Sequence, residues 1–141
     1  MDKSIVKNYI NLFSNLSPDN IDEFDNLITK DIIFVDPFNN VKGINAFKNI
    51  FYHMFENVKE PRFFVIDYSI NKQRVFLKWE MTFFAFKSLQ TIEGMSELLL
   101  NKNGQVVSHI DYWDTLNSLF IKIPFIRHFY KLSLFLFKSK S

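Results

Sequence analysis

Gly104-Gln105-Val106-Val107-Ser108-His109-Ile110-Asp111-Tyr112-Trp113-Asp114 reads as an extended strand, along which side chains alternate between two faces with a period of two. His109, Asp111 and Trp113 therefore share one face, and Ser108, Ile110 and Tyr112 share the other. A histidine and an aspartate at i and i+2 on one face are close enough to hydrogen-bond. Beside an indole they form a polar island in an apolar setting, which is either a functional pair or a satisfied structural one.

Three segments of the same kind precede it: Arg62 to Ile70, Arg74 to Phe86 and Leu89 to Leu100, rich in Phe, Val, Ile and Trp. Turn residues stand at Asn71-Lys72 and Asn103-Gly104, so the four segments predict an antiparallel meander of long strands. The amino-terminal part has the helical period instead. Ile5, Val6, Tyr9, Ile10, Leu12, Phe13 and Leu16 predict a helix over about residues 3–16, with Tyr9 on its apolar side. Ser17-Pro18-Asp19-Asn20 has the chemistry of a helix start and predicts a second, short helix to about Ile28. Asp31-Ile32-Ile33-Phe34-Val35-Asp36-Pro37 reads as a short strand stopped by proline, which places Asp36 at a strand end. From Gly43 to about Val58, Phe47, Ile50, Phe51, Met54 and Phe55 predict a third helix with one buried face. From Asp114, an N-cap residue, through Phe137 the chain reads as helical, broken or kinked at Pro124. The fold class is α+β: helices packed on one face of a curved, mainly antiparallel sheet, with a helical carboxy-terminal tail. Residues 1–114 form the domain, and residues 115–141 are an apolar, basic extension of it.

Composition narrows the function. The 141 residues fit one domain with a full core, and 18 Phe at 23% charged residues mark an apolar-rich but ordinary globule. Without Cys there is no disulfide framework, thiol nucleophile or thiolate metal site. His109 and Asp111 are two potential metal ligands with no third marked by spacing, and the three Gly are too scattered for a phosphate loop. Neither a metal nor a cofactor is expected. Met1-Asp2-Lys3-Ser4 leads into an amphipathic segment with no signal-peptide core, so a cytoplasmic protein is expected.

All 15 acids lie at or before Asp114, while Lys122, Arg127, Lys131, Lys138 and Lys140 follow it. An acidic body with a basic tail argues against nucleic-acid binding. Leu116 to Phe137 is close to continuously apolar, and Arg127, Lys131 and Lys138 fall within a narrow arc of the wheel. Closing the pocket, packing in a homodimer or lying at an anionic membrane surface would each bury such a face.

The order of elements, with Asp-Pro ending the first strand, resembles the nuclear transport factor two-like superfamily. These are cone-shaped α+β domains that include ketosteroid isomerases, SnoaL-like polyketide cyclases, scytalone dehydratase and limonene epoxide hydrolase. The resemblance covers roughly residues 3–114. Val6-Lys7-Asn8-Tyr9 resembles the isomerase segment bearing the oxyanion-hole tyrosine, and Phe34-Val35-Asp36-Pro37-Phe38 resembles the segment bearing the general base. Val106-Val107-Ser108-His109 resembles the start of their last strand. Where those isomerases carry a protonated aspartate on the penultimate strand, this chain has Ser96, which donates a hydrogen bond but is no carboxylic acid. His109 and Asp111 stand where the isomerases have apolar residues, as SnoaL-like cyclases place acid–base residues on the sheet.

The resemblance implies a cofactor-independent isomerase, cyclase or dehydratase acting by proton transfer on an apolar carbonyl compound held in the cone. Asp36 would take the α-proton, Tyr9 would stabilise the enolate, and His109 with Asp111 would relay the proton. Trp79, Met81 and Phe83 alternate on one strand face and, with Ser96, Trp113, Phe51 and Met54, would wall a pocket for a flat apolar ligand. Beside these stand plainer readings. Asp36 would hold the Asp-Pro turn, Tyr9 would be core, His109 and Asp111 would fix strand register, and the domain would bind a ligand or a partner without turnover.

Overall fold

A computed structural model describes residues 3–133. The elements run α1 (Lys3–Ser14), a 3-10 turn (Ile21–Asn26), β1 (Ile28–Val35), β2 (Asn40–Lys42), α2 (Ile44–Asn57), β3 (Lys59–Asn71), β4 (Arg74–Ala85) and β5 (Ser88–Leu100). β6 (Val106–Trp113), α3 (Thr115–Ser118), a second 3-10 turn (Phe120–Lys122) and α4 (Pro124–Ser133) follow. The strands make one sheet in the order β2-β1-β6-β5-β4-β3. Among the described residues only β1 and β6 pair in parallel.

The period-two pattern is read out directly. Along β5, Gln90, Ile92, Gly94, Ser96, Leu98 and Leu100 are buried and the residues between them are exposed or half-buried, so only one face of the sheet meets the core. Register slips in β3, between Lys59 and Arg62 and between Val65 and Asp67, bend that strand around the helices.

α1 contributes Val6, Tyr9, Leu12 and Phe13 to the interior, and α2 contributes Phe47 and Phe51. Between them, Phe24 from the 3-10 turn and Phe34 from β1 complete a knot of aromatic rings. Phe24–Phe47 and Phe47–Phe51 meet edge to face at 5.0 Å, and Phe13–Phe51 does so at 5.4 Å. Each such pair adds about 0.5–1.5 kcal/mol beyond its buried area. The knot docks α1 against β3 and β6, through Phe63 and His109, and α2 against β1, through Phe34.

Three segments depart from the sequence expectation. The second helix is a 3-10 turn, and β1 starts at Ile28, within the span read as helix. Ser17 does not cap it; its backbone N–H donates to Asn20 Oδ1. The segment is too short to repay α-helix nucleation, and Ile21 and Phe24, both fully buried, match a three-residue turn. Lys48 of α2 then ties the turn down, reaching Asp22 and Asp25 at 2.8 Å each. The second departure is β2, which sequence reasoning missed. It pairs back on β1 (Val35 with Asn40, Ile33 with Lys42) around the loop 36–39.

The tail is broken at Pro124 as expected, and the third departure is that only a four-residue helix and a 3-10 turn precede the break. Asp114 caps α3 as expected, accepting from the Leu116 and Asn117 N–H groups at 3.1 and 3.0 Å. These bonds, led by those from Asn117, hold its carboxyl below the ordinary carboxylate value. The chain then tightens into a 3-10 turn and restarts at Pro124, which occupies the first position of α4, where its missing N–H costs nothing. The expected helical stretch 134–137 lies outside the described residues.

Candidate functional site

Strand register gathers the polar side chains of the interior. On the concave face His109 stands opposite Leu98 and beside Phe34, Asp111 opposite Ser96, and Ser96 opposite Leu77. Trp79 faces Gly94 one step along. These neighbours form one hydrogen-bonded chain. The Trp79 indole N–H donates to Ser96 Oγ at 2.8 Å, and the Ser96 hydroxyl donates to Asp111 Oδ1. His109 Nε2 lies 2.8 Å from the same Oδ1, and Tyr9 Oη lies 2.7 Å from His109 Nδ1.

Donor chemistry orients every link. Indole can only donate, so the single Ser96 proton goes to Asp111, whose carboxylate can only accept. His109 must then carry its proton on Nε2, which leaves Nδ1 to accept from the phenol. Tyr9 and His109 are 0% and 3% exposed, and each polar atom of the pair is satisfied, as burial requires. The imidazole is boxed in by the rings of Phe34, Phe13 and Tyr9 at 5.1, 5.6 and 5.9 Å.

One acceptor stays free. Asp111 Oδ2 has no hydrogen-bond partner among the described residues and is not sealed from solvent. Asp111 lines a half-open cleft of about 340 Å³, counted to its mouth, with an inner space of about 30 Å³. Phe13, Phe63, Val65, Leu77 and Trp79 form its apolar walls, with Ser96 and His109 beside Asp111. That inner space exceeds the ~10–15 Å³ that a single water needs.

Burial pushes the Tyr9 phenol well above its ordinary value of 10.0, and the negative charge of Asp111 adds to the shift. Tyr9 is therefore a hydrogen-bond donor at any working pH. Because the folded pKa is the higher one, the stabilising contribution is complete below about pH 10 and is lost as pH rises toward the folded value. A Tyr9→Phe variant should show a shallower loss of stability between pH 9 and 11 than wild type, measured by urea midpoints. Parallel curves would remove Tyr9 as the cause.

Trp79 has its place because Gly94 has no side chain. A Cβ at Gly94 would lie 2.3 Å from Cζ2 of the indole. Gly94→Ala must displace a ring that is 7% exposed and held at Nε1. A loss of about 1–3 kcal/mol is expected, with a red-shifted Trp emission as the cleft floor opens. An unchanged melting temperature and spectrum would show that the ring relocates freely.

The expected site residues divide. His109, Asp111, Ser96 and Trp79 meet at the cleft. Tyr9 lies behind His109 and joins through its hydroxyl alone. Asp36 stands apart, in the β1–β2 loop. Its Oδ1 accepts from the Phe38 and Asn39 N–H groups at 2.7 and 2.6 Å, and Asn39 Nδ2 reaches both of its oxygens at 3.0 Å. Phe51 belongs to the buried aromatic knot, and Met54, Met81 and Phe83 pack half-buried against the core. Trp113 faces Phe38 at 5.6 Å. None of these five residues lines the cleft. Phe13, Phe63, Val65 and Leu77 were missed as lining residues. The one available signal was strand parity, which puts Leu77 on the same face as Trp79. Among the described residues no group of three or more His, Cys, Asp or Glu is placed to hold a metal ion.

A curved sheet wrapped on helices around a half-open apolar cleft with a buried polar floor defines a cone-fold domain of the nuclear transport factor two-like type. Residues 6–109 match the SnoaL-like domain, and the chain belongs to that family. Among solved structures it is similar to a nuclear transport factor two-like protein of unknown function from Burkholderia pseudomallei (14% identity, 87% of this chain and 98% of that one, TM-score 0.72). It is also similar to a ketosteroid isomerase-like protein from Catenulispora acidiphila in complex with trimethylamine (12% identity, 85% and 92%, TM-score 0.70). A candidate SnoaL-like polyketide cyclase from Jannaschia is a third relative (15% identity, 82% and 89%, TM-score 0.67). Among curated proteins none matches the sequence.

Proposed function

We propose that this protein is a cofactor-independent proton-transfer enzyme for small apolar carbonyl compounds, with Asp111 as the base. Family membership supports a small-ligand-binding or cyclase/isomerase-type protein. The observation that carries the finer reading is Asp111 at the apolar cleft, with two donors on Oδ1 and no partner for Oδ2 among the described residues. A carbonyl compound seated with its α-carbon at Oδ2 loses a proton to it. The C–H bond breaks, its electron pair moves onto the carbonyl oxygen as an enolate, and an O–H bond forms on Asp111. Return of that proton to another carbon of a conjugated system gives the isomer. Expulsion of a β-leaving group gives the elimination product.

The remaining residues position the base. His109 Nε2–H and the Ser96 hydroxyl fix the carboxylate, and Tyr9 fixes the imidazole tautomer. A full relay through His109 to the outside would require a buried tyrosinate, which the raised Tyr9 pKa opposes. In this reading Asp36 shapes the loop beside the sheet edge and takes no proton.

Family membership equally supports a second reading, a binding module without turnover. Deuterium exchange separates the two. Small cyclic ketones and enones in D2O, followed by NMR, should exchange α-protons faster with wild-type protein than in buffer. Ligands that raise the melting temperature but show only buffer-rate exchange would replace the enzyme reading with the binding one.

A further inference from the structure

We propose that α4 docks the protein on an anionic lipid surface, inserting Phe125, Phe129 and Leu132 among the headgroups. These side chains are 80%, 75% and 68% exposed. At about 100° per residue they fall within one arc of roughly 60°. Arg127, His128 and Lys131 occupy a separate exposed arc. Tyr130, half-buried, and Ile126, 37% exposed, take the third side. The helix thus keeps one flank toward the protein and offers an apolar and a cationic arc outward. That is the division of a helix lying in a membrane interface, with aromatic and leucine side chains below and basic ones level with the phosphates.

The connection to the domain holds this helix out. Among the described residues its principal neighbour is the 3-10 turn Phe120–Lys122. That turn is pinned by Lys122 on Gln90 and by Phe120 against Phe38 at 6.3 Å. No helix of the described residues is long and apolar enough to cross a membrane, so α4 would lie on the surface.

Charge selects the partner. The chain after Asp114 carries five basic residues and no acid, which complements an anionic surface at about a fivefold gain in affinity per cation near it. A second copy fits poorly. Isologous pairing would set Arg127 and Lys131 of one copy near those of the other with no acid in the segment between them. The three apolar side chains also offer roughly half of the ~800 Å² per partner that a standard interface buries.

The test is co-sedimentation of the full chain with vesicles of phosphatidylcholine, with and without 30% phosphatidylserine. Wild type should bind the anionic vesicles and release them in high salt. Phe125→Ser with Phe129→Ser should weaken binding at least about tenfold, and Arg127→Glu with Lys131→Glu at least about 25-fold. All four positions are exposed, so the variants should keep wild-type circular dichroism and melting temperature. Absence of binding to anionic vesicles overturns the proposal, as does binding that neither variant changes. A concentration-dependent dimer lost in the Phe variant, without vesicle binding, would instead show that a second copy covers the face.

Discussion

Asp111→Asn should slow α-proton exchange by a factor of about 10²–10⁴, the usual contribution of a positioned general base. The substitution is chosen for what it leaves intact. Asparagine keeps one carbonyl oxygen, and the two donors that converge on Oδ1, His109 Nε2–H and the Ser96 hydroxyl, orient the amide so that this oxygen remains their acceptor. Its NH2 group then replaces Oδ2 at the cleft. Shape, register and the chain back to Trp79 persist while the one free basic atom is gone. Asp36→Asn is the matched control, because Asp36 is spent on the Phe38 and Asn39 donors and lines no part of the cleft. Exchange should survive Asp36→Asn within about twofold, as expected for a group outside the site. The opposite pattern, with Asp111→Asn active and Asp36→Asn inactive, would return the base to Asp36 and require the β1–β2 loop to open onto the ligand.

His109→Ala should give the largest loss of stability, about 3–5 kcal/mol, because it strands charged and polar partners together. The buried Tyr9 hydroxyl loses its acceptor, Asp111 loses one of two donors, and the space among Phe13, Phe34 and Tyr9 empties. Tyr9→Phe alone removes one hydrogen bond and strands only Nδ1, at about 1–3 kcal/mol. In the double variant the orphaned hydroxyl is gone. Its cost should therefore fall short of the two single costs added together by about 1 kcal/mol or more, measured as urea unfolding in a double-mutant cycle. Strict additivity would mean that the 2.7 Å contact between Tyr9 and His109 contributes nothing.

Much of the architecture was legible from consecutive residues. The alternation from Val106 to Trp113 put His109 and Asp111 on one face, as found, because side-chain direction along a strand follows from local backbone geometry alone. The same holds for the buried face of α1 with Tyr9 and for Asp114 as a cap, since a cap bonds only within its own turn. The uneven charge of the tail is likewise a property of composition. Where neighbours compete, local reading fell short. Asn40–Lys42 is too short to signal a strand and exists because β1 offers it an edge, and the segment after Ser17 is tightened by Phe24 entering the aromatic knot.

Local patterns were enough for the fold class and for which residues share a face, whereas the pairing of polar atoms arose only from packing between distant segments. Tyr9 and His109 are 100 positions apart and Trp79 and Ser96 are 17 apart, and nothing in local periodicity sets those encounters. They follow from the register of β4, β5 and β6 and from how α1 seats on the sheet. The bonds that hold Asp36 are local, within residues 36–39, whereas Ser96 reaches Asp111 only through the register of β5 on β6. A periodicity is written in successive dihedral angles, whereas a hydrogen-bonded chain exists only once distant segments have closed on one another.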